Sequence, residues 1–454
     1  MKRTLARVAM CMIGFTAVGV LISSRVQHAM RDTTIKLDKH GRIPARKRIE
    51  MRLEEATDTS GQRNEPLTYP AWWKKAWPRS KVNSWKDQFV GDNPLFPPCA
   101  REPPLSKEGL YGFVEPREFL PNSKNPCWYE RSGKSKEFKC APYFYLAGVA
   151  KGGTTDMFVR IRLHPDVMQG TQKEYHWWDR YRFGDTEEDD DTGAKEEATS
   201  FDEYLQQITG PELKDVENDI ITEGHSTKVF GDGSPSYLWD VENWNLIDGN
   251  QDCDEPRVVI GQHIRHFYPD AKIIMTFRHP TPRLYSRFLS RIPRTPQLKN
   301  ATAEDFHKYV VRGIQMYKDC FEKFSIRQCA YNDTLHTEAF VRLVEGMYPV
   351  FLADWFRIWP REQNLIVRYD DYARDMKTSL RDIIKFLGLT KIKISDINKI
   401  VDHRFANIGK MYDTIGPMLP KTEEVLNKFY EPFILQFAEI LGDDRFLWTD
   451  TKPL

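Results

Sequence analysis

The segment Tyr143-Phe-Tyr-Leu-Ala-Gly-Val-Ala-Lys-Gly-Gly-Thr-Thr-Asp156 constrains this chain more than any other. An apolar, aromatic-rich run ends at Gly148. Lys151, Gly152 and Gly153 follow, and then Thr154 and Thr155 open a stretch with helical spacing at Met157, Ile161 and His164. Strand, glycine turn and helix N-terminus together form an anion cradle: glycines let backbone N–H groups approach an oxyanion, and the helix dipole favours its charge. A nucleotide-hydrolysing loop would carry lysine directly after its last glycine and a strand-end aspartate for magnesium. Here Thr154 occupies the lysine position and Lys151 lies inside the turn. The later strand Lys272-Ile-Ile-Met-Thr-Phe277 ends in Arg278, a cation suited to a second anionic group rather than to a metal. The ligand expected from these residues carries two separate anions, and no metal site is expected.

The second element is Arg278-His-Pro-Thr-Pro-Arg-Leu-Tyr-Ser286. Pro280 and Pro282 start a helix, and Ser286 lies about two turns along it. Arginine offers a planar fork to phosphate and serine adds a hydroxyl. In this order the two elements resemble the sulfotransferase superfamily. The resemblance implies that Lys151, Gly152, Gly153, Thr154 and Thr155 hold the 5′-phosphosulfate of 3′-phosphoadenosine 5′-phosphosulfate (PAPS), and that Arg278 and Ser286 hold its 3′-phosphate. A glycine/lysine loop near the C-terminus, Ile408-Gly-Lys410, resembles one that folds over the nucleotide, which makes Lys410 a candidate contact.

Lys173-Glu-Tyr-His-Trp-Trp-Asp179 resembles the segment that supplies the catalytic base in Golgi glycosaminoglycan sulfotransferases. Attack on sulfur requires a sugar hydroxyl to lose its proton, and a carboxylate beside the donor can take it. Glu174 is the expected base, His176 is the rival, and Lys151 is the expected electrophilic partner. Trp177 and Trp178 are candidates to stack on sugar rings or to fill the core. Gly233-Ser-Pro-Ser-Tyr-Leu-Trp-Asp240, Arg283-Leu-Tyr-Ser286, Cys329-Ala-Tyr-Asn-Asp-Thr334 and Phe429-Tyr-Glu-Pro-Phe433 extend the similarity from about Cys127 onward, toward the branch that sulfates C6 of N-acetylgalactosamine 4-sulfate. That branch implies a chondroitin or dermatan sulfate acceptor. The departures are Gly152, at a position expected to be cysteine; Gly233, where heparan sulfotransferases carry a lysine; and an acidic insertion, Glu187 to Asp191. Another glycan such as heparan sulfate, or an inactive glycosaminoglycan binder, are the alternatives. A secreted nucleotide kinase is disfavoured by the missing loop lysine and acidic metal ligand.

The 454 residues carry a formal net charge of only +1, so a polyanionic acceptor must be met by local basic patches. Arg283, Arg287 and Arg291 recur every fourth residue after Arg278, with Arg294 beyond, and Arg287 and Arg291 are candidate acceptor contacts. The chain opens with Lys2, Arg3 and Arg7 before an apolar run from Val8 to Ser24. This predicts a cytosolic tail (1–7), an uncleaved signal-anchor helix (8–24), a polar luminal stem (25–95) and a catalytic domain (96–454), a single-pass type II protein of the Golgi membrane. A cleaved signal peptide is the alternative. Leaving Cys11 in the anchor, six cysteines remain for an oxidising lumen. Cys320 and Cys329 bracket a short loop and are expected to pair; Cys99, Cys127, Cys140 and Cys253 admit three pairings. Asn300 and Asn332 head glycosylation sequons. The expected partners are a glycosaminoglycan and the Golgi membrane, with no nucleic acid; the sequence leaves homo-oligomerisation open.

The expected fold is α/β: a P-loop-like, doubly wound parallel sheet flanked by helices, the sulfotransferase fold. Its strands fall at Tyr143–Val149, Lys228–Gly231, Ala271–Phe277 and Asn364–Tyr369. Long helices are expected over Asp305 to Phe324 and Val341 to Trp359, with a shorter one from Ser379 to Leu387 stopped by Gly388.

Overall fold

The computed structural model describes residues 117–132, 135–170, 173–184, 198–403 and 414–450, which apart from 442–444 belong to one compact unit. The expected anchor and stem, the acidic insertion and Lys410 lie outside these residues. No described helix is long and apolar enough to cross a membrane.

The described chain begins with an antiparallel hairpin that the sequence reading did not anticipate, β1 (Cys127–Ser132) and β2 (Ser135–Cys140), whose first paired residues are joined by the Cys127–Cys140 disulfide. Four further strands form a parallel sheet: β3 (Phe144–Gly148), β4 (Gly231–Asp232), β5 (Lys272–Phe277) and β6 (Asn364–Arg368), in the order β4-β3-β5-β6. Every residue of β3 is buried, as are all of β5 after Lys272. Such unbroken apolar runs are what a parallel sheet covered on both faces requires. From β3 the chain passes to β4 on one side and then crosses to β5 on the other. The winding direction therefore reverses between β3 and β5, and a crevice opens at their carboxyl ends.

The helices that matter to that crevice are α1 (Thr154–Arg162), α2 (Pro280–Arg291), α3 (Ala303–Phe321), α4 (Tyr348–Ile358), α5 (Met376–Phe386) and α6 (Pro420–Leu441). α6 packs on α2, α3 and α4, and α5 packs on α1. Thr302 starts α3 with a reciprocal cap to Asp305. α5 runs to Phe386, and Gly388 just beyond it takes a left-handed φ of 59°.

Two expected elements differ. The strand expected over Lys228–Gly231 is confined to Gly231–Asp232, because Val229 instead bridges to Val167. The single helix expected from Val341 to Trp359 is a short 3₁₀ turn (Leu343–Gly346) followed by α4. Pro349 in the first turn of α4 has no N–H to give and biases the residue before it away from the helical region, so it suits a helix start better than a helix interior. Gly346 also lies so close to Tyr430 that a Cβ there would fall 2.7 Å from its ring.

The 3₁₀ turn presents Glu345 to Arg283 of α2, and both side chains are fully buried, with Arg283 Nη1 2.6 Å from Glu345 Oε2. Arg283 also reaches the Ala150 carbonyl of the glycine loop at 3.5 Å, tying helix, turn and loop together. Removing one member of a buried pair strands the other, so Arg283→Met is expected to destabilise the protein by about 3 kcal/mol, the lower end of the usual range because Arg287 and Arg342 still face Glu345. Urea denaturation measures this; a loss under about 1 kcal/mol would mean that the remaining arginines suffice.

Candidate active site

The glycine loop leaves β3 and turns directly over the end of β5. Val149 N donates to the Thr276 carbonyl at 2.9 Å, and Thr276 Oγ1 donates to the Gly152 carbonyl at 2.8 Å. A Cβ on Gly152 would lie 2.9 Å from Thr276 O and 3.0 Å from Val149 O, so this backbone has no room for the cysteine expected at that position. Gly153 has φ 84°, and a Cβ there would fall 2.8 Å from the Tyr369 ring. It caps α1, whose first-turn N–H groups, including those of Thr154 and Thr155, have no partner within the helix. Lys151 sits in the turn at φ 67° and forms no ion pair among the described residues. Burial makes its ammonium easier to deprotonate, and Arg287, Arg278 and Arg294 add to this, partly offset by Glu174.

Arg278 leaves the end of β5 beside this loop. Its carbonyl accepts from Tyr348 Oη at 2.8 Å, and its guanidinium lies 5.0 Å from the centre of the Tyr369 ring. The same tyrosine therefore backs both Gly153 and Arg278. Arg278 meets no carboxylate, and the Ser286 hydroxyl makes no hydrogen bond, among the described residues. His279, the N-cap of α2, is pushed down to about 4 by burial and by Arg278 and Arg368, so it stays neutral among these cations. A glycine cradle without room for Cβ atoms, at a helix N-terminus, with two uncommitted cations and a free hydroxyl, fits a ligand bearing two anions.

On the opposite side of the crevice lies Lys173 to Asp179. Glu174 and His176 have φ of 66° and 50°. Among the described residues six non-glycine residues have positive φ, and Lys151, Glu174 and His176 are three of them. Backbone strain concentrated in one crevice marks a functional constraint. The His176 ring is held by Asp179, which is fully buried, with Nδ1 3.4 Å from Oδ2 and 2.8 Å from Ser236 Oγ, and Ser236 donates to Asp179 in turn. Burial alone would push the imidazole down, but Asp179 outweighs it and raises it to about 9. His176 Nε2 lies 3.9 Å from Glu174 Oε2, and Lys173 Nζ contacts the other oxygen. Burial would raise the Glu174 carboxyl, yet His176 and Lys173 hold it down to about 2. Glu174 is thus a half-exposed carboxylate between two cations.

Lys173 was not singled out from the sequence, although a lysine abutting the candidate base was a usable signal. It supplies a cation beside Glu174 that Gly233 cannot, since a Cβ at 233 would fall 2.9 Å from the Phe158 ring. Thr276, Tyr369, Asp179 and Ser236 also went unassigned; nothing local in the sequence marks them. The stacking role considered for Trp177 and Trp178 is corrected: they are 3% and 0% exposed. Trp177 stacks on Tyr204 at 5.1 Å and donates to the Thr199 carbonyl, while Trp178 donates to Tyr204 Oη. Neither can offer a face to a sugar. In the arginine series Arg283 is core, whereas Arg287 and Arg291 remain partly exposed. Cys320 and Cys329 are bonded to each other, and Cys253 is disulfide-bonded. Asn300 and Asn332 are exposed, and the Asn332 side-chain oxygen also accepts from Leu335 N at 2.7 Å.

Comparison with known proteins gives the family. The chain is 31% identical over 400 residues to human carbohydrate sulfotransferase 15, covering 76% of this chain and 69% of that one. It is 23% identical over 327 residues to mouse heparan sulfate glucosamine 3-O-sulfotransferase 6, covering 68% and 73%. A solved sulfotransferase from Alicyclobacillus acidocaldarius overlaps 68% of this chain and 98% of its own at 19% identity, with a TM-score of 0.40, and carries no weight of its own. Residues 142–411, more than half the chain and spanning the loop, Glu174, Arg278 and Ser286, match the model of the sulfotransferase domain. The chain belongs to the sulfotransferase family.

Proposed function

We propose that this protein transfers the sulfuryl group of PAPS to C6 of N-acetylgalactosamine 4-sulfate in chondroitin or dermatan sulfate. The observation that carries the reading is the meeting, at one crevice, of an anion loop, a second uncommitted cation at the end of β5 and an ionised carboxylate. The acceptor class is supported by the similarity to carbohydrate sulfotransferase 15 over 76% of the chain. The weaker identity to the heparan sulfotransferase, 23%, favours the alternative less. We place the reaction in the Golgi lumen, with Val8–Ser24 as the anchor.

The donor supplies the sulfuryl group; the chain's residues do the rest. The N–H groups of the loop and of Thr154 and Thr155 donate to oxygens that gain charge as the bond to sulfur breaks, and Lys151 neutralises them. Arg278 and Ser286 hold the 3′-phosphate, so that binding far from sulfur fixes the orientation of attack. Glu174 accepts the proton of the acceptor hydroxyl. It is a weak base while Lys173 and His176 hold it, but a hydroxyl that has begun to bond to sulfur is strongly acidic and yields its proton to a weak carboxylate. His176 carries a proton on both nitrogens at neutral pH, so it donates rather than accepts. Arg287 and Arg291 are the proposed acceptor contacts on α2.

Glu174→Gln keeps the size and reach of the side chain without its basicity, and is expected to lower turnover about 10²–10⁴-fold while leaving PAPS affinity unchanged. His176→Ala is expected to cost less. If His176→Ala abolished turnover and Glu174→Gln stayed active, the base would be histidine. Disaccharide analysis after labelling with PAPS is expected to give units sulfated at both positions 4 and 6; label confined to heparan disaccharides would overturn the acceptor and spare the sulfotransferase reading.

The His176–Asp179 pair also predicts a pH dependence of stability. A histidine raised to about 9 when folded, against an ordinary value near 6.5, stabilises the fold fully below about 6.5, and that contribution is lost as pH rises through about 9. Thermal unfolding is expected to show this decline in the wild type and a flatter profile in His176→Gln. Parallel profiles would contradict the pairing.

A further inference from the structure

Beyond Asp179 the crevice is rimmed by charged side chains drawn from distant parts of the chain. Arg180 Nη2 lies 3.4 Å from Glu242 Oε2, and Arg342 Nη1 lies 2.7 Å from the other oxygen of the same carboxylate. Arg342 also approaches Glu345 Oε1 at 3.8 Å, an oxygen that Arg287 Nε reaches at 3.3 Å, while Arg283 takes Oε2. Arg291 stands near Arg342 and Arg287 and donates to the Phe340 carbonyl at 3.1 Å. Arg287 is the charged group that most depresses Lys151. The rim thus runs unbroken from the candidate base, through His176, Asp179, Arg180, Glu242, Arg342, Glu345 and Arg287, to the glycine loop.

Its charges do not balance. Five guanidiniums, those of Arg180, Arg283, Arg287, Arg291 and Arg342, together with the protonated His176, share the three carboxylates of Asp179, Glu242 and Glu345. His336, 3.3 Å from Glu242, is buried and pushed down, so it adds no charge at neutral pH. Asp240 is buried and pushed up to about 8, so it removes none. Crowding like charges in a partly desolvated wall is costly unless an anion meets them. Exposure is graded outward: Arg283 is fully buried, Arg342 is 19% exposed, and Arg180 is 37% exposed. Arg342 lies 5.7 Å from the centre of the buried Trp239 ring, which with Glu242 fixes its orientation.

We propose that Arg180 and Arg342, set on either side of Glu242, form the subsite for the sulfate that the acceptor sugar already carries. The inference rests on the acceptor proposed above and adds to it the residues that select a 4-sulfated unit. Substituents at C4 and C6 belong to one ring, so the group that reads the first must lie within a sugar's width of the base that deprotonates the second. Arg180 adjoins the base segment: its Nε lies 4.0 Å from Asp179 Oδ2, and Asp179 holds His176, whose Nε2 lies 3.9 Å from Glu174 Oε2. Two planar guanidiniums can each give paired N–H donors to a tetrahedral oxyanion. Glu242 lies between them as an ionised carboxylate, held so by hydrogen bonding from the His336 imidazole and by the charges of Arg342 and Arg180. A neutral hydroxyl brings no charge to add to that arrangement, whereas a sulfate meets the cationic excess.

The test is binding of two chondroitin oligosaccharides of equal length, one 4-sulfated and one unsulfated, by calorimetry with adenosine 3′,5′-bisphosphate present. Wild type is expected to prefer the sulfated form. Arg180→Ala and Arg342→Gln are each expected to reduce that preference about 10–100-fold, the worth of a hydrogen-bonded charge pair. Arg342→Lys, which keeps the charge but not the fork, is expected to fall between. Arg180 is more exposed than Arg342, so its variant stays interpretable should Arg342 variants unfold. An unchanged preference in folded Arg180→Ala, or an equal loss on both oligosaccharides, would overturn the subsite and leave the acceptor reading intact. A wild type that neither binds nor sulfates any chondroitin would overturn both.

Discussion

Thr276 does two things at once: its carbonyl takes the Val149 N–H, and its hydroxyl holds the Gly152 carbonyl. The loop after β3 is thereby pressed onto the end of β5, where Arg278 emerges two residues later. All else in the crevice depends on that closeness. It explains why Gly152 tolerates no Cβ, why Gly153 caps α1 in a left-handed conformation, and why Tyr369 can back both the loop and Arg278. The winding reversal between β3 and β5 supplies the place, and two bonds from one threonine set the spacing of the two anion-holding elements.

The electrostatics divide the crevice into regions. On the donor side neither Lys151 nor Arg278 forms an ion pair among the described residues, and burial and repulsion from neighbouring arginines lower Lys151's hold on its proton. On the base side the order is cation, carboxylate, cation, carboxylate: Lys173, Glu174, His176, Asp179. This chain keeps Glu174 ionised and His176 protonated, so the two residues that sequence alone left as rivals are assigned different states by their neighbours. The positive φ of both shows that the backbone is bent to bring them there.

The functional skeleton was legible because it is local. A strand, a glycine turn and a helix N-terminus occupy fourteen consecutive residues, Tyr143 to Asp156, and Arg278 and Ser286 are read from one strand end and one helix. The hydrophobic runs of β3, β5 and β6 announced the sheet. What escaped depends on contacts far apart in sequence. Trp177 and Trp178 look like sugar platforms until Tyr204 and Phe201 pack on them. Arg283, Arg287 and Arg291 share a helical spacing, yet only Arg283 is fully buried, against a Glu345 that lies some sixty residues on and that the partly exposed Arg287 also reaches. The break before α4 was written locally in Pro349 and was overridden by the apolar pattern around it. The hairpin of β1 and β2 carries a charged, non-alternating second strand, Ser135–Cys140, and is closed by a disulfide that cysteine counting could not choose.

The central claim is that the loop and Arg278 grip opposite ends of one nucleotide carrying two anions. It is tested most directly by calorimetric titration of the wild type with adenosine 3′,5′-bisphosphate and with adenosine 5′-monophosphate, repeated on Arg278→Ala. The bisphosphate is expected to bind about 10–100-fold tighter, the worth of one charge-assisted contact, and Arg278→Ala is expected to remove most of that advantage. Equal affinity of the wild type for both nucleotides would contradict the account.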